Sequence, residues 1–250
     1  MTPAYHARMS SSGEFVGTDL SGAVFREADL SRARMRGVML IDADIDGAIM
    51  GLRLNGVEVA PLIEAELNRL HPERTALRPA TPAQALHAVD VVDTLWAGTI
   101  ARVRAMAPGT ADRSVDREWS VTETLRHLVF VNDAWFGHAV LGEAHPFHPV
   151  GLPASFMTDV AAFGVDESAK PSFEDVVAVR ATRLERLRAF LAGATQDDLD
   201  RVREPNPEPG FPPPAARTAV SCLYVLLNEE WTHHSFAVRD LASIEADPSH

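Results

Sequence analysis

The chain has 250 residues, 46% of them hydrophobic, and a formal net charge of −12 at pH 7, enough apolar material for one large or two modest domains. Its acidity excludes the ordinary route to nucleic-acid binding, because such a surface repels phosphates instead of releasing counterions from them. Cys222 is the single cysteine, which excludes an internal disulfide and any cysteine-rich zinc module.

In chain order, the opening MTPAYHARMSSSGEF has neither a basic n-region nor an apolar h-region. No later run approaches the roughly 18 uninterrupted apolar residues of a membrane span. The expectation is a cytoplasmic protein without a membrane or nucleic-acid partner. A repeat follows: Phe15, Leu20, Phe25, Leu30, Met35, Leu40, Ile45 and Met50 are large and apolar at a strict spacing of five. Small residues Ala23, Ala28, Ala33, Val38, Ala43 and Ala48 stand two positions before six of them. Neither a helix nor a strand has that period; a coil of square cross-section does, with every fifth side chain stacked inside. The stretches ADLSR and ADIDG resemble the pentapeptide-repeat family, which implies a right-handed quadrilateral β-helix over residues 13–59. At four sides per turn the eight repeats make about two turns, few for a solenoid that is stabilised by stacking, and this short uncapped coil suggests a homodimer.

Residues 60–80 read as a connecting helix and linker, with PLIEAELNRLHPE, residues 61–73, amphipathic. Thr81 is an N-cap candidate ahead of Pro82. Four long periodic segments follow, at about 82–106, 119–142, 172–193 and 216–243, the content of an all-α four-helix bundle over 81–243. Connections 143–171 and 204–215 are candidate crossovers or pocket lids. EPNPEPGFPPP, residues 204–214, holds six prolines and reads as an extended loop over the bundle mouth.

The last helix carries an apolar stripe of Val220, Leu223, Leu227, Trp231, Val238 and Leu241, with Glu230 and His234 inside it. Four residues apart, a carboxylate and an imidazole project from one face, and a buried carboxylate requires compensation. His127, among Val121, Leu125, Leu128 and Trp135, supplies a third donor, so His127, Glu230 and His234 are the expected ligands of a divalent metal with an open position. Glu229 and His233 have the same spacing but fall toward the side bearing Asp240, and are set second. Arg126 and Arg239 are candidates for gripping an anionic substrate, and Trp231 for lining the pocket. His145 and His148 read as loop residues, and Cys222 as inert packing.

The pattern W-S-V-x-E-x-L-x-H-L at 119–128, with E-x-x-x-H followed by A-x-R-D-L near the end, resembles the DinB superfamily, including its mycothiol-dependent maleylpyruvate isomerase-like branch. The resemblance covers roughly residues 80–243. It implies a metal, zinc first and nickel second, held in that branch by His, Glu and His, which would correspond to His127, Glu230 and His234. It further implies a metal-dependent thiol transferase or thiol-dependent isomerase, whose partners are a low-molecular-weight thiol of the mycothiol or bacillithiol type and an electrophile. A metal-dependent hydrolase is the enzymatic alternative. A non-enzymatic scaffold with a metal-stapled bundle is the other.

Overall fold

The computed structural model describes residues 14–25, 28–154, 157 and 160–246; residue 13, where the expected coil begins, lies outside them. The chain divides into two compact units, one ending at Asp46 and one starting at Gly47.

The first unit is a coil of turns. Left-handed residues recur at Gly17, Gly22, Arg32, Gly37 and Asp42, and again at Gly47 just past it, so the backbone turns a corner at every fifth residue wherever it is described. Alternate corners are closed by backbone bonds, Ala23 N to Leu20 O at 2.9 Å and Ala33 N to Leu30 O at 3.0 Å, with the left-handed residue third in each turn. Asp19 and Asp29 brace these corners by accepting from the amides of Ser21 and Ser31. The expected strand ladder is absent: among the described residues, 14–51 contains no β-strand. The turns keep the period of five, but no β-helix is seen among the described residues, the sides being too short and too often interrupted by left-handed corners to pair as strands. Its apolar ladder, Phe15 to Ile45, is 42–60% exposed, so the coil does not seal an interior of its own.

The second unit opens with a hairpin, β1 (Arg53–Leu54) and β2 (Val57–Glu58), paired antiparallel. Its turn is Asn55-Gly56, both left-handed, the pair that suits a two-residue hairpin loop. Helix α1 (Ala60–Leu70) follows, and a 3-10 turn, Pro72–Leu77, lays Arg74 over the Trp231 ring at 4.5 Å.

The bundle comprises α2 (Pro82–Ala105), α3 (Val121–Asn132), α4 (Phe173–Gly193) and α6 (Ala219–Ala246), with a short α5 (Gln196–Asp200) before the last. Each start is chemically marked. Thr81 caps α2, and Ser120 with Glu123, then Ser172 with Asp175, form capping boxes on α3 and α4. Helix α3 ends earlier than expected, passing into a π-helical turn, Asp133–His138. Helices α2 and α3 each pack on both α4 and α6, so α2 and α3 stand diagonally, as do α4 and α6. Segment 143–171 thus joins neighbours, whereas the proline-rich 204–214 belongs to a diagonal crossing. A short pair of strands, β3 (Val202–Arg203) with β4 (Arg217–Thr218), ties the ends of that crossing. The core is Trp96, Leu125, Leu128, Leu184, Leu187, Leu223, Leu227 and Leu241. Among the described residues no helix is long and apolar enough to cross a membrane.

Candidate metal centre

Helix α6 carries two acid–histidine pairs one residue out of register, and at 100° per residue they face different neighbours. Glu229 and His233 face His127 of α3. Glu229 Oε2 lies 3.2 Å from His233 Nε2 and 3.6 Å from His127 Nε2, and one donor atom from each of the three falls within 4.8 Å of the others. Zinc–ligand distances of about 2.0–2.2 Å in a tetrahedral site put neighbouring donors about 3.4 Å apart, so this set fits a divalent cation.

The hydrogen bonds agree. His127 Nδ1 lies 2.9 Å from Leu152 O. A carbonyl only accepts, so Nδ1 carries an N–H toward Leu152, and Nε2 is the ring atom aimed at Glu229. Two lone-pair-bearing atoms facing each other require a proton or a cation between them. Burial alone would push the Glu229 carboxyl up, but the two imidazoles outweigh it and hold it at about 2, so the site keeps an anion at any ordinary pH. Trp119 walls it, with its ring 4.7 Å from that of His127 and stacked on His233 at 5.9 Å. Phe236 closes on His233 at 5.6 Å. His127 is buried while the Glu229 side chain is one-third exposed, so one side of the cluster reaches solvent.

Glu230 and His234, expected as ligands, do not join His127. Glu230 is 2% exposed and accepts from Arg180 Nη2 of α4 at 2.6 Å. Arg180 also lies 3.6 Å from Asp93 of α2. His234 Nε2 meets Thr99 Oγ1 of α2 at 2.9 Å, packs edge-on to Trp96 at 5.2 Å, and is held below its usual pKa by burial. The apolar stripe therefore marked the face buried against α2 and α4, where an arginine compensates the carboxylate. The available signal was Arg180 itself, placed among Val176, Leu184 and Leu187 on an apolar face, an inward cation in need of an acid.

The expected substrate residues are likewise committed elsewhere. Arg126 Nε donates to Val150 O at 2.8 Å and Nη2 to Asp166 O at 3.4 Å, and burial pushes its pKa down. Trp231 lies under Arg74 and donates from Nε1 to Glu73 at 3.4 Å. Arg239 stands over Phe236 at 5.3 Å, but its guanidinium is taken by Asp240 and Glu118 at 2.7 and 2.6 Å, which hold its pKa high. His145 is exposed, and the His148 ring accepts from Val150 N at 3.2 Å. Cys222 is buried, and burial pushes its thiol up.

The Asn206 side-chain amide in the proline-rich loop donates to His138 O and Glu143 O at 3.1 and 3.0 Å. Phe211 packs on Trp135 and Phe130. That loop lies on the α3 extension.

In comparison with known families, the model described as the DinB superfamily matches residues 91–237, and that for pentapeptide repeats matches eight copies over 14–51. No curated protein and no solved structure gives a significant match.

Proposed function

Because the chain belongs to the DinB superfamily, we propose that His127, Glu229 and His233 hold a divalent metal, zinc first and nickel second, in a metal-dependent thiol transferase or thiol-dependent isomerase. Its substrates are a low-molecular-weight thiol of the mycothiol or bacillithiol type and an electrophile. The observation that carries this reading is the convergence of three donors on one point, with the His127 tautomer already set by the Leu152 carbonyl.

When bound there, the cation would supply a Lewis acid that lowers the pKa of a coordinated thiol or water toward neutrality. The protein's part is to hold the site ready. Leu152 O fixes the His127 ring, Trp119 and Phe236 limit the swing of His233, and Glu229 contributes a carboxylate that stays ionised. Three donors with a solvent-reaching side favour an open catalytic position over a closed structural site, which takes four protein ligands.

A scaffold role is the second reading, favoured by the exposed ladder of the coil, and the homodimer belongs with it. Hydrolysis at the same centre is separated from thiol chemistry only by substrate.

The deciding experiment is the metal content of protein purified without added metal or a polyhistidine tag. Near-stoichiometric metal is expected in wild type, and loss in Glu229→Gln and His233→Ala. Glu230→Gln and His234→Ala, turned about 100° away on α6, should retain it. A metal-free wild type that takes up none on reconstitution would remove the enzyme reading.

A further inference from the structure

Segment 148–152 crosses α3 as a strap, and its seating decides where the Leu152 carbonyl meets His127. Four hydrogen bonds tie it to α3 and the π-helical turn, and from its other side Asp166 N donates to Pro149 O at 3.2 Å. His148 N donates to Asp133 Oδ2 at 2.8 Å, Arg126 Nε to Val150 O at 2.8 Å, Leu152 N to Arg126 O at 3.1 Å, and His127 Nδ1 to Leu152 O at 2.9 Å. Between these anchors lies Gly151. A Cβ there would stand 3.2 Å from His148 O, 3.3 Å from Phe130 Cβ and 3.5 Å from Phe130 Cα. None of those atoms can retreat cheaply. Phe130 is 2% exposed, belongs to the α3 backbone and is stacked on Phe147, while His148 O accepts from Gly151 N at 2.9 Å. The missing side chain lets the strap lie a few tenths of an ångström closer to the helix than a Cβ would.

We infer that Gly151 is a positioning residue of the centre: by seating the strap on α3 it sets the Leu152 carbonyl against His127 Nδ1, and so fixes the ring's tautomer and orientation. Arg126 serves the same end from the helix side, which accounts for a buried guanidinium spent on backbone carbonyls. An imidazole whose Nδ1–H is engaged presents one lone pair in one direction. An imidazole without that partner populates both tautomers and rotates, and partners of this kind are worth about 10- to 100-fold in metal affinity. The consequence for metal binding rests on the reading of His127 as a ligand. The consequence for the tautomer does not.

The test compares full-length wild type with Gly151→Ala and Gly151→Val. Three quantities are read: the His127 tautomer by 15N NMR of the metal-free protein at alkaline pH, zinc affinity by chelator competition, and the visible spectrum of bound Co(II). Wild type should show the Nδ1–H tautomer alone. Gly151→Val should show a mixture, zinc affinity lower by about 10- to 100-fold and an altered Co(II) spectrum, with helical circular dichroism unchanged; Gly151→Ala should move the same way by less. If Gly151→Val does not fold, Gly151→Ala decides alone. A wild-type tautomer in the folded variants overturns the inference, as does wild-type zinc affinity with an unchanged Co(II) spectrum. Should wild type bind no metal, the metal reading fails by itself and the tautomer still decides the role of Gly151.

Discussion

Glu229 and Glu230 are neighbours with opposite duties, set by what each meets. Glu229 faces two imidazoles and a solvent-reaching side, whereas Glu230 is sealed against Arg180, both side chains being 4% exposed or less. Removing one partner of a buried ion pair strands the other charge. Glu230→Gln is therefore expected to lower stability by about 3 kcal/mol in denaturant melts, at the lower end of what such pairs cost because Asp93 also lies near Arg180. Glu229→Gln should cost the metal-free protein less than Glu230→Gln, because its side chain reaches solvent. Equal destabilisation by the two would mean that they share one face, contrary to the geometry. The E-E and H-H doublets were legible as a centre's raw material, but the choice within each doublet was not. It depends on the rotation of α6 about its axis, which Arg180 and Thr99 decide.

At the scale of elements, the start of α3 is written in the chain: Ser120 and Glu123 exchange side-chain and backbone bonds and place His127 two turns into the helix. Ser120→Ala should cost about 1 kcal/mol through the lost cap, read as a lower denaturant midpoint. The effect on zinc affinity should be small, because His127 lies beyond the first turn and is held by Leu152. The extents of α2, α4 and α6 follow the apolar period closely. The end of α3 does not, since Asp133 in the π-helical turn is drawn into bonds with Arg183 and His148, partners that are remote in sequence.

For the whole molecule, the coil presents an apolar ladder that a stable monomer would ordinarily cover. A second copy offers a self-complementary surface of the same period, so light scattering should return twice the 27.2 kDa chain mass. Leu30→Glu combined with Leu40→Glu should return the monomer. A monomeric wild type would end the dimer reading without touching the metal centre.

The sequence by itself determined the period-five repeat, the helical content and the Thr81 cap, because these rest on local spacing and on bonds made within a few residues. Tertiary structure alone decided three things: which acid and histidine of α6 face His127, what Arg126 and Trp231 are committed to, and that the strap lies on α3 at Gly151. Each depends on groups far apart in the chain competing for the same buried partner, and spacing along a sequence carries no information about which of them wins.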